Sequence, residues 1–293
     1  MKQVNPILGA HKSVAGGLYK AFARGEASGC EAIQIFTKNQ SQWDAKPLEF
    51  DEIEKFHQER DRTKMPVVAH AAYLPNLASP DSLLWERSFD AILIELQRCD
   101  ILSIPNLIFH PGSYTSDTRD NGLRRMGESI AKIYGKKNFT AKLTIENTSG
   151  QGTNLGRSFE EIAEIIEISG CREKIAVCFD TCHGFAAGYD IRTRPEYESV
   201  WASFDRTVGL DILAAVHLND SKTGFMARKD RHEHIGKGEI GIEGFRNLLN
   251  DRRFAGIPML LETPKGLKTR DGSDIDMDAV NLELLRNLIS EEK

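Results

Sequence analysis

The sequence predicts a (β/α)8 barrel, a TIM barrel formed as a single domain over residues 1–293, and three observations carry that prediction. Eight short runs rich in Val, Ile, Leu and Phe recur, near 7–11, 32–36, 66–70, 105–110, 142–146, 175–180, 213–217 and 258–262. Charged stretches of helical period lie between them, and strand followed by helix, repeated, is the pattern of a closed parallel sheet. Reactive side chains sit where the runs end, which is where the open face of such a barrel lies. An open doubly wound sheet would instead collect its ligands at one switch point.

In chain order, the runs at 7–11 and 32–36 come first. Val67–Val68–Ala69 then leads to His70, and Ser82–Ser103 has helical period. Leu107–Ile108–Phe109 leads to His110, and Leu143–Thr144–Ile145 leads to Glu146. The glycine-rich stretch Thr148–Arg157 (TSGQGTNLGR) must be a loop. It is either a backbone lip near phosphate or an ordinary strand-to-helix connection, and glycine alone does not decide. Ser158 with Glu161 forms a capping box that opens a helix over Ser158–Ser169. Ala176–Val177–Cys178–Phe179 leads to Asp180, with His183 three residues on. Ala214–Ala215–Val216 leads to His217, and Ile242–Arg252 reads as a helix. Met259–Leu260–Leu261 leads to Glu262, and Asp276–Ile289 reads as the closing helix.

Composition narrows the class. Hydrophobic content of 40% and charged content of 28% are ordinary for a globular protein. No apolar run approaches the roughly 18 residues that span a bilayer, so no membrane partner is expected. Met1–Ala10 lacks the basic start and apolar core of a signal peptide. Five cysteines, an odd number, argue for a reducing compartment. The expected location is therefore cytoplasmic, at the nucleoid in a bacterium. A formal charge of −5 is unfavourable to a nucleic-acid partner. Three bound divalent ions would offset it, so net charge decides little.

Imidazoles and carboxylates are the donors that zinc and related divalent ions use. His70, His110, Glu146, Asp180, His217 and Glu262 end six different runs, so one rim would carry them all. Without a metal, many buried polar groups would each need another partner. Asp230 and His232 fall in Arg228–His234 (RKDRHEH), either a solvated charged loop or a lid over the mouth. Two apart on extended chain, they point the same way. With His183 they would supply ligands for a further ion. Cys178 and Cys182 flank Asp180 and are expected to pack, since strand alternation buries Cys178 one layer below it.

Seven segments together resemble the endonuclease IV family of zinc-dependent apurinic/apyrimidinic endonucleases. They are Gly9–Leu18 (GAHKSVAGGL), His70–Leu77 (HAAYLPNL), Phe109–Ser113 (FHPGS), Ile145–Leu155 (IENTSGQGTNL), Phe179–Tyr189 (FDTCHGFAAGY), His217–Lys222 (HLNDSK) and Lys229–Gly241 (KDRHEHIGKGEIG). The resemblance implies a barrel holding three Zn2+ ions, with Mn2+ able to replace some of them. His70, His110 and Glu146 would hold the first. Glu146 would bridge to a second, completed by Asp180, His217 and Glu262. His183, Asp230 and His232 would hold the third. Glu146 and Glu262 carry the catalytic role.

The implied reaction is hydrolysis of the phosphodiester 5′ to an abasic site, leaving a 3′-hydroxyl and a 5′-deoxyribose phosphate. Cleaning of blocked 3′ ends by the same centre accompanies it. Paired divalent ions activate water toward phosphorus and a third offsets the charge of a leaving alkoxide, so no Ser, Cys or His nucleophile is called for. The implied partner is duplex DNA containing abasic sites or blocked 3′ ends, bound by a monomer. Gln40 in the loop Thr37–Trp43 (TKNQSQW), Tyr73, Leu74 and Arg231 fall at DNA-contacting positions of the family. Tyr73 and Leu74 would fill the gap left by a missing base, or else pack beneath their loop. Ser41 stands where relatives often carry an arginine, and His234 replaces a commoner polar residue. The rival reading is a metal-dependent sugar isomerase or epimerase of the same barrel superfamily, which needs only Glu146, Asp180, His217 and Glu262.

Overall fold

The computed structural model describes residues 5–268 and 274–290. Eight parallel strands close on one another in sequence order: β1 (Ile7–His11), β2 (Ala32–Phe36), β3 (Val67–His70), β4 (Asn106–Phe109), β5 (Lys142–Glu146), β6 (Ile175–Asp180), β7 (Leu213–His217) and β8 (Pro258–Leu261). Every strand-like run in the sequence is one of these. Alternation turns Ala32, Val68, Ile108, Cys178, Ala215 and Leu260 into the barrel interior, where they form one small apolar cluster. The opposite faces pack outward beneath the helices in a much larger core that includes Phe22, Phe56, Phe179 and Trp201. Small residues set the closure. A Cβ on Gly9 would stand 1.9 Å from the carbonyl oxygen of Ala32, so only glycine lets β1 and β2 approach as they do.

Nine helices surround the barrel among the described residues: α1 (Lys20–Ala27), α2 (Phe50–Thr63), α3 (Ser82–Leu102), α4 (Arg119–Lys136), α5 (Phe159–Ser169), α6 (Thr181–Ala187), α7 (Arg194–Thr207), α8 (Gly241–Leu249) and α9 (Met277–Arg286). None is long and apolar enough to cross a membrane. Several start on a side-chain cap: Asp81 accepts from the Leu84 amide, Thr118 from Asn121, and Asp276 from Asp278 and Ala279.

Two local expectations change. Ser158 Oγ accepts from the Glu161 amide at 3.2 Å, as a capping box requires. The Glu161 carboxylate, however, reaches past the cap to the amides of Gly156 (2.8 Å) and Arg157 (3.1 Å), so it closes the glycine-rich loop instead. The helix expected over Ile242–Arg252 ends at Leu249, because the Asp251 side chain accepts from Arg253 and starts a separate 3-10 turn, Arg252–Phe254.

Candidate metal centre

The strand ends deliver their side chains to one point. His70, Glu146, Asp180 and His217 are the last residues of β3, β5, β6 and β7, while His110 and Glu262 come one residue after β4 and β8. In-register pairing sets Asp180 beside His217 across β6 and β7. Asp180 also serves as the N-cap of α6, accepting from the His183 amide at 2.8 Å. That cap explains the DTCH spacing. The carboxylate that ends the strand starts the helix, and the helix returns His183 to the same mouth.

Asp230 and His232 arrive from outside the barrel. His232–Glu233 pairs antiparallel with Asp220–Ser221, a two-residue ribbon just past β7. The buried Asp220 carboxylate anchors the turn beyond His234, accepting from the amides of Gly236 (2.9 Å), Gly238 (3.1 Å) and Ile240 (3.0 Å). A Cβ on Gly238 would sit 2.3 Å from the Ser221 carbonyl oxygen, so glycine is required there. Asp230 and His232 of the charged segment therefore turn in over the mouth, while Arg228, Lys229 and Arg231 stay in solvent. Gln151 of the glycine-rich loop braces the segment by accepting from the Asp230 amide at 3.3 Å.

Glu146 is the hub. Its Oε2 lies 3.1 Å from His70 Nε2 and 3.2 Å from His110 Nε2. Its Oε1 lies 3.1 Å from His217 Nδ1 and 3.2 Å from His183 Nδ1. His217 Nδ1 is also 3.3 Å from Glu262 Oε2 and 3.8 Å from Asp180 Oδ2. At the far side His183 Nε2 and His232 Nε2 face Asp230 at 3.2 Å and 3.3 Å, and neither makes an aligned hydrogen bond.

Donor atoms within 4.8 Å of one another fall into groups that could each hold an ion: His70, His110 and Glu146; Glu146, Asp180, His217 and Glu262; and His183, Asp230 and His232. Cys182 reaches a fourth group with Asp180 and His232. Its thiol is fully buried and pushed up to about 12 by that burial, which suits a packing side chain. Cys178 packs in the barrel interior as expected.

The electrostatics follow from crowding. Burial opposes ionisation of Glu146, yet His217 and His110 outweigh it and hold its carboxyl well below the usual range. Burial likewise opposes protonation of His183, and the Asp180, Asp230 and Glu146 carboxylates overcome it, holding that pKa well above the ordinary value. Such a buried cluster is costly unless each charge has a partner.

Three comparisons bear on this geometry. The Xylose isomerase-like TIM barrel family model matches residues 22–281. A probable endonuclease 4 from Chloroflexus aggregans is 46% identical over 286 residues, covering 97% of this chain and 98% of that protein. The chain belongs to the endonuclease IV family. The solved endonuclease IV of Thermus thermophilus superposes with a TM-score of 0.81 at 33% identity, over 97% of this chain and 98% of that one. A D-tagatose 3-epimerase-like protein superposes with a TM-score of 0.69 at 20% identity, over 96% of each chain, and so shares the barrel. As a member of the endonuclease IV family the chain is a hydrolase of the nuclease class.

Within this endonuclease IV chain, four further residues act on the centre that sequence reasoning passed over. Gln34 of β2 takes His217 Nε2 at 2.8 Å through its Oε1 and donates from Nε2 to Glu262 Oε1 at 2.5 Å. His11 ends β1, with Nδ1 3.0 Å from Gln34 Nε2 and 3.5 Å from Glu262 Oε1. The strand-end rule that found His70 would have found it too. Asn219 donates to Asp180 Oδ2 at 2.7 Å and accepts from the Glu262 amide at 2.9 Å. Asn147 accepts from the Asp180 amide at 2.6 Å. Neutral amides carry no ligand signal, which is why Gln34, Asn219 and Asn147 went unread.

The expected DNA-contact residues surround the mouth but are not part of the cluster. A cavity of about 620 Å³ opens beside Glu262 and is lined in part by His11, Gln40, Ser41, Tyr73 and His232. Tyr73 is 63% exposed, with one edge of its ring against Phe36, and Leu74 is 36% exposed. Arg231 is exposed on the charged segment, its guanidinium turned back to the Asp230 carbonyl oxygen. His234 bonds Asn281 through Nδ1 at 3.1 Å and faces away from the candidate ligands.

Proposed function

We propose that this chain is an apurinic/apyrimidinic endonuclease that hydrolyses the phosphodiester 5′ to an abasic site in duplex DNA. It leaves a 3′-hydroxyl and a 5′-deoxyribose phosphate, and the same centre clears blocked 3′ ends. The observation that carries the reading is a set of three adjoining ligand groups at the open end of the barrel, two sharing Glu146 and the third reaching it through His183 at 3.2 Å.

The donor set fits divalent metal. His70 Nδ1 bonds the Ala71 carbonyl oxygen at 2.7 Å, and His232 Nδ1 faces the Glu262 carbonyl oxygen at 3.3 Å. His217 is fixed in the opposite sense, through Nε2 to Gln34. Each ring thus spends one nitrogen on a fixed acceptor and aims the other at a carboxylate, the arrangement that prepares an imidazole to bind a cation. His70, His110 and Glu146 would hold one ion. Asp180, His217 and Glu262 with Glu146 would hold a second, and His183, Asp230 and His232 a third. Zn2+ suits this set, and Mn2+ suits its carboxylate-rich part. When bound, such ions polarise a phosphodiester and lower the pKa of water.

Selectivity falls to the surrounding surface. An abasic nucleotide offers no base edge to read, and unstacking costs less there than at an intact pair. On this reading the exposed Tyr73 and Leu74 fill the vacated space, Gln40 reaches the duplex from the neighbouring loop, and Arg231 meets phosphate. All candidate ligands come from one chain, so a monomer suffices. The sugar isomerase or epimerase reading would leave His70, His110, His183, Asp230 and His232 without a task.

The deciding experiment pairs metal content with incision of a duplex carrying one abasic analogue. About three ions per chain with cleavage 5′ to the lesion is expected, with slow loss under strong chelators and activity kept in EDTA-containing buffer. About one ion with ketose turnover would overturn the proposal. A second expectation concerns the exposed Ser41. Ser41→Arg should tighten duplex binding several-fold at low salt and steepen the log–log salt dependence by about one. An unchanged salt slope would remove position 41 from the interface.

A further inference from the structure

We infer that Glu95 is a positioning residue that holds the two duplex-facing loops at a fixed separation, an inference that rests on the endonuclease reading above. Glu95 is a fully buried carboxylate on α3, on a largely apolar helix face that includes Phe89, Ile92, Leu96 and Cys99. A buried carboxylate without partners is costly, and an apolar residue would pack better there. Its partners are one from each loop. Oε1 accepts from the Ala72 amide at 3.0 Å, next to Tyr73 and Leu74. The same oxygen lies 4.0 Å from Nζ of Lys38, two residues before Gln40, in an ion pair whose side chains are 0% and 3% exposed.

Lys38 Nζ also donates to the Gln42 carbonyl oxygen, bending the 37–43 segment around the ammonium. One turn further along α3, Arg98 donates from Nε to the Thr37 carbonyl oxygen at 2.8 Å and from Nη1 to that of Lys46 at 2.8 Å. The segment is therefore clamped at both ends on the same helix face, and Glu95 adds the loop after β3 to that clamp. The exposed tips, Gln40–Ser41 and Tyr73, line the same cavity. Each tip has a buried root, and the two roots meet at one carboxylate.

A wedge that enters a lesion gap and a loop that grips the same duplex must keep their spacing before DNA arrives, or binding must order them. Glu95 touches neither DNA nor any candidate metal ligand through a hydrogen bond. Its effect belongs in binding.

Glu95→Gln keeps the volume and an acceptor for the Ala72 amide but leaves Lys38 buried without a counter-charge. Three measurements read the result: hydrogen exchange across 37–46 and 71–76 in the free protein, KM and kcat on a duplex with one abasic analogue, and hydrolysis of bis(4-nitrophenyl) phosphate. Amides of both loops should exchange about tenfold faster together. KM should rise about tenfold, while kcat, metal content and small-diester hydrolysis stay within about twofold. Lys38→Met should give the same two-loop signature, and the double variant should be no worse than the single ones. If Glu95→Gln does not fold, Lys38→Met carries the comparison. Faster exchange in only one loop, additive effects, or equal losses of kcat and small-diester turnover would overturn the inference. Wild-type protein that leaves the abasic duplex intact would sink the endonuclease reading, while the exchange experiment would still decide the coupling.

Discussion

Glu262→Gln is expected to abolish incision of an abasic duplex, by about three orders of magnitude or more, while duplex binding is largely kept. The substitution is isosteric, so the 2.9 Å bond from the Glu262 amide to Asn219 and the placement of the chain are unaffected. What changes is charge and donor sense at the point where β8 meets the mouth. Glu262 Oε2 faces His217 Nδ1 at 3.3 Å, and Oε1 accepts from Gln34 at 2.5 Å. An amide can present nitrogen toward only one of these without losing the other, and it cannot supply the negative charge. His217, Gln34 and His11 would lose their common anion. Single-turnover incision with a parallel gel-shift measurement checks both halves. Near-normal cleavage would remove Glu262 from the mechanism, and parallel loss of binding would make its role structural.

Gln34→Leu should lower metal affinity or incision rate by roughly 10- to 100-fold, although Gln34 is not a candidate ligand. The amide oxygen fixes His217 with its proton on Nε2, and so with its Nδ1 lone pair facing Glu146, Glu262 and Asp180. Leucine leaves a buried N–H unpaired and frees the ring to take the other tautomer. Metal retention across a series of buffered zinc concentrations reads the first effect, and incision at saturating metal reads the second. Wild-type values in both would show that the ring is held by packing alone.

The barrel itself could be read from residue order because strands buried on both faces are written as continuous apolar runs, and the side chains just beyond them are conspicuous. His70, His110, Glu146, Asp180, His217 and Glu262 were visible for that reason. His183, Asp230 and His232 could be read only as candidates beside a solvated-loop alternative, since a short capped helix and a two-residue ribbon bring them back across the mouth. Gln34, Asn147 and Asn219 escaped because an amide inside or just beyond a strand looks the same whether it orients a ligand or fills space. Glu95 escaped for a different reason. Its partners are a backbone amide and a lysine on other segments, and no spacing along α3 announces either.

Asp180 has a wider consequence. One carboxylate ends a strand, caps α6 through the His183 amide and is held by Asn219, so the same atoms serve chain geometry and the centre. A residue without a capping oxygen would uncap a helix and misplace His183, and asparagine, which keeps the cap, would set an amide donor against Asn219. Variation at this position is therefore closed to small steps, since no single exchange alters the chemistry while sparing the scaffold. Divergence of this barrel toward new substrates has freer ground at Gln40, Ser41, Tyr73 and Leu74, whose side chains make no such double commitment.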